Sequence, residues 1–379
     1  MFEKWFRFPE WFSEWNANNP TDYYGPVIVF GALGTGLIGL AALVVLGQPF
    51  ATDSLQTGPR GTGMSRPEFV RSVTQPDPDI EEIVSDEPFI PEGGEALARD
   101  IYENVPVLGE LTEDNFLRLM NAITLWVSPD EGCAYCHGDG DVETYGDDSL
   151  YTKVVSRRMI EMTRNINENW DDHVSANGEV GVTCFTCHRG EPVPSGIWYR
   201  VAPVTNATSG WSANQNLATK ISQSTSLPSD ALEKYLADFE TIAVHDLESR
   251  VPGVPGRDVP SIQDAERTYA LMNHFANSLG VNCVFCHNSR AFYDGAEVTP
   301  QWGIASLGIA MVQELNTEFL IPLGDELPAN RLGPVHADAP KLACNTCHKG
   351  YQRPLQGANV IADWPELRTG EAPVYDRAR

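Results

Sequence analysis

Basic residues are scarce in this chain. It has 26 Lys+Arg against 52 Asp+Glu, a formal net charge of −26 over 379 residues. Such a surface repels phosphates, so nucleic acid and anionic lipid headgroups are excluded as main partners and a basic partner is favoured. Solitary cysteine is also lacking: none of the eight precedes residue 133, and none falls outside a repeated motif. Strand signals are few, which points to a mainly α fold. Residues 27–46 carry no charge at all. The remaining composition, 42% hydrophobic and 21% charged, is that of an ordinary folded chain, with length for about two or three domains.

All eight cysteines sit in four C-x-x-C-H motifs: Cys133/Cys136/His137, Cys184/Cys187/His188, Cys283/Cys286/His287 and Cys344/Cys347/His348. This is the attachment signature of c-type haem. The two thiols add across the vinyl groups as thioethers, and the following histidine reaches the iron. A disulfide framework has no need of His after every second Cys. Structural zinc pairs C-x-x-C with a second ligand pair at a distance, which is not repeated here. A thioredoxin-like pair explains one C-x-x-C and not four. The motifs therefore predict four covalently bound haem c groups, each with iron.

The uncharged run, VIVFGALGTGLIGLAALVVL, spans residues 27–46. As a helix it is about 30 Å long, enough to cross a bilayer core. A cleaved signal peptide has a shorter apolar region, about 7–15 residues, after a positive start. This run is longer, begins later and follows a mixed-charge segment, so residues 26–47 are expected to form a retained single transmembrane helix. The flanking charges, Lys4 and Arg7 before it and Arg60, Arg66 and Arg71 after it, do not orient it. Haem attachment does, because it takes place outside the bacterial cytoplasm: the bulk is expected in the periplasm and residues 1–25 in the cytoplasm. Trp5, Phe6, Phe8, Trp11, Phe12 and Trp15 crowd that short segment, which suits the headgroup level of the inner membrane or a partner there. Gly31, Thr35 and Gly39 form a stripe of small residues, a weak signal for packing on another helix.

Residues 48–92, rich in Pro, Gly, Ser, Thr and acidic residues, read as an extended linker. The tetrahaem domain is expected over 93–379, with halves at about 93–200 and 260–365 and a connector over 201–259. The connector contains a polar stretch at about 203–229 and a proline-rich one at 251–260 that cannot be helical. The halves echo each other. Their motifs are separated by 51 positions (133 to 184) and 61 positions (283 to 344). The first motif of each half has an aromatic before its second Cys (Tyr135, Phe285). The second has Thr there and then a base and Gly (Thr186, Arg189, Gly190; Thr346, Lys349, Gly350). Internal duplication, with two haem pairs in approximate twofold symmetry, is the simplest account. Helices are expected from Thr112-Glu-Asp, with capping chemistry, through Val127; from Leu150 to Trp170; from Gln263 to Leu279; and from Thr299-Pro300 to about Phe319.

Each iron has one axial position left. A thioether there raises the reduction potential, and a second imidazole leaves it lower. Met120 lies 13 positions before Cys133 and Met272 lies 11 before Cys283, each mid-helix. Their repeated placement marks both as distal ligands, although methionine alone is more often core filler. Met159 and Met162 share the helix before the second motif, and spacing leaves both open. Met311 lies in the helix before the fourth motif and leaves thioether ligation open there. Of the other histidines, His173 follows the second helix, and His274 lies two residues from Met272, on a different helix face.

This layout resembles the tetrahaem cytochrome c subunit of purple-bacterial photosynthetic reaction centres. The likeness covers about residues 90–365. It rests on the 2+2 motifs, the Met-bearing helices, and the segment Arg158-Met159-Ile160-Glu161-Met162-Thr163-Arg164 through Trp170 and His173-Val174 to Gly181-Val182-Thr183-Cys184. The resemblance implies three His/Met haems and one His/His haem. Met120 would pair with His137, Met159 with His188 and Met272 with His287, while His173 would cross to His348 and Met311 would be core. It also implies electron transfer without substrate chemistry. A soluble periplasmic donor, a small basic cytochrome c or a high-potential iron–sulfur protein, would supply electrons that re-reduce the photo-oxidised bacteriochlorophyll pair of the reaction-centre core subunits. Many members of that family are anchored by acyl chains on an N-terminal Cys. This chain has no cysteine before residue 133, so helix 27–46 is the expected anchor. A respiratory quinol dehydrogenase with four bis-His haems would also use eight His, the number present here, but the Met-bearing helices and the length argue against it. A catalytic multihaem reductase needs an open iron site, and four distal candidates leave none.

Overall fold

A computed structural model of the chain describes residues 10–18, 24–47, 52–56, 65–69, 77–176, 180–201, 227–242, 262–292 and 294–375. Trp5, Phe6, Phe8, the stretch 203–226 and the proline-rich 251–260 lie outside the described residues. The chain divides into two units, Met1–Ser54 with Pro67–Gln75, and Leu55–Arg66 with Pro76–Arg379.

In the first unit, α1 (Glu10–Asn18) carries Trp11 and Trp15 exposed, four residues apart and so on one helix face. Helix α2 (Tyr24–Gly47) covers the uncharged run. Its 24 residues span about 36 Å at 1.5 Å per residue. Among the described residues nothing buries its segment Val29–Leu46, and Phe30, Leu37, Leu43 and Val45 stand exposed. A helix apolar all round and unburied by its own chain is stable in lipid and unfavourable in water. Two short strands, β1 (Thr52–Gln56) and β2 (Ser65–Phe69), each divided between the two units, pair with each other within the expected linker.

The second unit is helical around the four motifs. Helices α3 (Glu113–Val127), α4 (Tyr151–Asn169), α5 (Ala231–Leu236), α6 (Ile262–Leu279) and α7 (Pro300–Glu314) supply its frame. The long ones match the expected helices to within a residue at most ends. Proline stands in the first turn of α7, where its missing N–H costs nothing. The fourth helix does run on past Glu314, but as a π-helical turn, Leu315–Leu320, before Pro322 starts a 3₁₀ turn. One local expectation is corrected. Thr112 is the N-cap of α3, yet its hydroxyl does not cap a backbone N–H; it accepts from the Asn115 side chain at 3.2 Å.

Two apolar clusters hold this unit together. One joins Met162 and Ile166 of α4, Leu232 and Leu236 of α5, Leu271 of α6, and Met311, Val312 and Leu315 along α7 and the π turn. The other joins Leu119, Ala122 and Trp126 of α3 and Ile160 of α4 to Leu355, Ile361, Trp364 and Leu367 near the C-terminal end. There the Trp126 and Trp364 rings meet edge-on at 4.7 Å. The Arg118 guanidinium lies over Trp364 at 4.3 Å and pairs with the fully buried Glu366 at 2.5 Å.

Two stretches expected to be linking chain contribute to the packed body. Helix α5 lies inside the expected connector, and its Tyr235 and Leu236 are buried. Residues 77–92, expected as linker, pack Ile80, Ile83 and Val84 on the second cluster. Asp77 and Asp79 pair with Arg189 there, at 3.3 and 2.8 Å. A proline-rich, acidic stretch looks like tether when its basic partner lies 110 positions away.

Candidate haem sites

The second and fourth motifs each form one helical turn, Cys184–His188 and Cys344–His348. The threonine inside each motif caps its own turn, Thr186 accepting from the Thr183 amide at 3.1 Å and Thr346 from the Ala343 amide at 3.0 Å. Both turns end in a left-handed basic residue, Arg189 (φ 53°) and Lys349 (φ 50°), followed by a glycine that is also at positive φ. That exit bends the chain back under the histidine. His188 Nδ1 meets the Glu191 carbonyl at 2.8 Å, and His348 Nδ1 meets that of Tyr351 at 3.0 Å. A carbonyl only accepts, so Nδ1 carries the proton and Nε2 keeps its lone pair for a metal. Helix α3 packs on the second turn and α6 on the fourth. They do so at matching points, the Gly190 amide donating to the Trp126 carbonyl at 2.9 Å and the Gly350 amide to that of Ser278 at 2.8 Å. Trp126 and Ser278 each lie six residues past a candidate methionine, Met120 and Met272.

The first and third motifs are also alike. The aromatic before the second Cys is held by a threonine hydroxyl: Thr152 donates to the Tyr135 carbonyl and Thr299 to that of Phe285, both at 2.6 Å. His137 stacks on Tyr145 with ring centres 4.5 Å apart, its Nδ1 3.3 Å from the Tyr145 carbonyl. His287 lies beside Phe292 at 5.5 Å, and its buried Nδ1 has no hydrogen-bond partner among the described residues.

The second, third and fourth motifs open onto one cavity of about 1250 Å³, larger than the roughly 300–1,000 Å³ of a small-molecule pocket. Both cysteines and the histidine of each of these motifs line it, together with His173, Met159 and Met272. Its remaining wall is mainly aliphatic and aromatic, from residues such as Val155, Ile166, Phe275, Ile309 and Leu342. Thiols on the wall, the imidazoles of His188, His348 and His173 with a fixed Nδ1 proton, and apolar surroundings fit a covalently held porphyrin. Burial pushes the thiols of Cys184 and Cys344 up to about 12 and that of Cys286 up to about 11. The second and fourth motifs come together here, with Cys187 and Cys347 Sγ 2.8 Å apart.

His173 arrives from the short turn Asp171–Val174 after α4 and lies against α7, its Nδ1 2.9 Å from the Ile304 carbonyl. Its ring faces His348 with centres 6.3 Å apart. Two metal–imidazole bonds of about 2 Å each separate ring centres by about 6 Å. Burial lowers the pKa of both rings, that of His348 to about 4, so both are neutral and in the ligating form. Gly308 makes the approach possible, since a Cβ there would stand 2.5 Å from His173 Cε1.

The methionines divide. Met162 and Met311 are buried in the first cluster, although both touch the cavity. Met120, Met159 and Met272 are half-buried. Met159 and Met272 line the cavity with the motifs, whereas Met120, Cys133 and His137 are not part of its wall and only Tyr135 and Cys136 of the first motif reach it. Met120 sits at the edge of the second cluster.

Several contributors were invisible in the sequence. The carbonyls of Tyr145, Glu191, Tyr351 and Ile304 hold imidazoles and leave no side-chain trace. Asn167 and Asn316 grip the residue two before the first Cys of a motif. Asn167 accepts from the Val182 amide at 2.8 Å and donates to its carbonyl at 2.9 Å. Asn316 does the same to Leu342 at 2.9 and 3.0 Å. Asparagine inside an otherwise amphipathic helix was the available signal, together with glycine at 308.

Comparison with known proteins agrees with this chemistry. The family model for the photosynthetic reaction centre cytochrome c subunit matches residues 47–368. The photosynthetic reaction center cytochrome c subunit of Roseobacter denitrificans is 66% identical over 97% of this chain and 100% of its own length. The same subunit of Rubrivivax gelatinosus is 40% identical over 89% of each chain, and that of Thermochromatium tepidum 40% identical over 74% of this chain and 69% of its own. With its haem c attachment motifs and its apolar N-terminal helix, the chain belongs to the family of photosynthetic reaction centre cytochrome c subunits, membrane-associated electron-transfer proteins and not enzymes.

Proposed function

We propose that the chain carries four haem c groups, takes electrons from a soluble periplasmic carrier, and returns them to the photo-oxidised bacteriochlorophyll pair of the reaction centre core. The observation that carries this reading is the single apolar cavity shared by three of the four motifs. Redox groups held in one largely apolar cavity exchange electrons with little solvent rearrangement. When bound, haem c supplies a one-electron iron couple whose potential is higher with a thioether ligand and lower with a second imidazole. His137, His188, His287 and His348 would each give a ring nitrogen to a haem iron, with Met120, Met159 and Met272 as the second ligands of the first three and His173 as that of the fourth. The matching capping, exit and helix contacts of the motifs support two haem-pair halves in approximate twofold symmetry.

Helix α2 crosses the membrane once, with residues 1–25 at the cytoplasmic interface and the haem body in the periplasm. The net charge of −26 favours a basic donor, a small cytochrome c over a high-potential iron–sulfur protein. Flash excitation of native membranes, followed at the haem α-band, tests the reading. Haem oxidation should match re-reduction of the bacteriochlorophyll pair and survive removal of soluble cytochromes. Absence of flash-induced oxidation with the haems pre-reduced would overturn it.

A further inference from the structure

Lys153 is a buried cation beside the first motif, and nothing in the electron-transfer reading uses it. It is 6% exposed, in the first turn of α4. Its ammonium donates to the carbonyl of Tyr145 at 2.7 Å and to that of Asp147 at 2.9 Å, and it lies 3.1 Å from the Asp148 carboxylate. The Tyr145 carbonyl is also the one facing His137 Nδ1. The same oxygen therefore serves an imidazole N–H and a full positive charge. The carbonyls of Glu191 and Tyr351 serve the imidazole N–H of His188 and His348 in the same way. At the third motif the residue after the matching threonine, Thr299, is Pro300 in place of a lysine.

We propose that Lys153 raises the reduction potential of the site built on the first motif, through the Tyr145 carbonyl that it shares with His137. Two effects act in the same direction. A carbonyl already bonded to an ammonium is a weaker acceptor for the imidazole N–H, so His137 donates less electron density and ferric iron is less stabilised. The positive charge itself, inside a body where screening is weak, favours the state with one electron more. Its paired carboxylate does not cancel it. Asp148 is shared with Arg157 at 2.8 Å, so two cations face one half-exposed carboxylate.

The proposal rests on His137 being the first motif's axial ligand, and the test separates the two. Potentiometric titration of the holoprotein in membranes, with haem counted as the pyridine haemochrome, is run on wild type and variants. Met120→His, replacing the proposed opposite ligand, marks which redox wave belongs to the first site. Lys153→Gln, which keeps a hydrogen-bond donor and removes the charge, should shift that same wave. At the wild-type midpoint its ratio of oxidised to reduced should rise about tenfold, equivalent to about 59 mV for one electron. Asp148→Asn, on the half-exposed partner, should move it oppositely, about threefold towards reduced. Lys153→Arg should leave it near wild type. If Met120→His moves no wave, or fewer than four haems are present, the ligand reading fails. If it marks a wave that neither Lys153→Gln nor Asp148→Asn moves, the role of Lys153 fails alone. Should Lys153→Gln not assemble, the sign of the Asp148→Asn shift decides.

Discussion

The second and fourth motifs are built by the same devices and differ in what stands across from the histidine. Each has a threonine cap within the turn, a left-handed basic residue, a glycine tied to a neighbouring long helix, and a carbonyl three residues on that fixes the imidazole. Each is also gripped two residues upstream by an asparagine, Asn167 from α4 and Asn316 from the π turn that follows α7. Opposite His348, however, stands an imidazole delivered from 175 positions earlier, His173, held by α7. Near His188 the cavity wall offers the thioether of Met159. The proximal side is thus written into about eight consecutive residues, whereas the distal side is a product of tertiary packing. One local framework is thus combined with two different surroundings across from the histidine.

The largest expected effect comes from erasing the difference. His173→Met should convert the fourth site to thioether ligation and raise its midpoint by on the order of 100 mV. Electron paramagnetic resonance should at the same time lose its bis-imidazole signal. An unchanged signal would show that His173 is no ligand. Gly308→Val attacks the same contact from α7, with His173 intact. The added side chain should displace the ring and abolish the same signal, at an overpacking cost of about 1–3 kcal/mol in denaturant unfolding. Retention of the signal would mean that α7 does not position His173.

Asn167→Ala and Asn316→Ala test whether the two upstream grips are equivalent. Each leaves a buried amide and carbonyl unmatched and should cost about 1–3 kcal/mol in chemical unfolding. Losses differing by more than twofold would break the comparison. The smallest effect is in acid. Burial pushes the Asp338 carboxyl up, but the Lys341 ammonium and the Arg200 amide pull it down further, so it lies below its ordinary value. A depressed carboxyl contributes stability that is complete above the unfolded value of about 3.9 and is lost as the pH falls below it. Thermal unfolding between pH 6 and pH 3 should show this loss near the fourth motif, and Asp338→Asn should flatten it. An identical slope in the variant would remove Asp338 from the account.

Covalent attachment and the long helices were legible because their signals are local. C-x-x-C-H is a contiguous motif, and the apolar spacing of α3, α4, α6 and α7 reports burial on one face. Met159 and Met162 were not separable by spacing, since both lie on the inner side of α4; the structure distinguishes them by depth. Residues 77–92 and α5 were read as linking chain because their partners are remote: Arg189 for Asp77 and Asp79, and Thr268 for the hydroxyl of the buried Tyr235, at 2.9 Å. The carbonyls that orient the imidazoles belong to backbone, which composition cannot show.

The return of the C-terminal segment to α3 has a consequence for maturation. A chain emerging from its N-terminal end presents α3 long before Trp364 and Glu366 exist to cover it. Until the last stretch of chain arrives, Trp126 and the buried Arg118 have no lid. The final residues act as a latch, so a chain ended after Arg353 should acquire its haems yet remain sensitive to protease at α3.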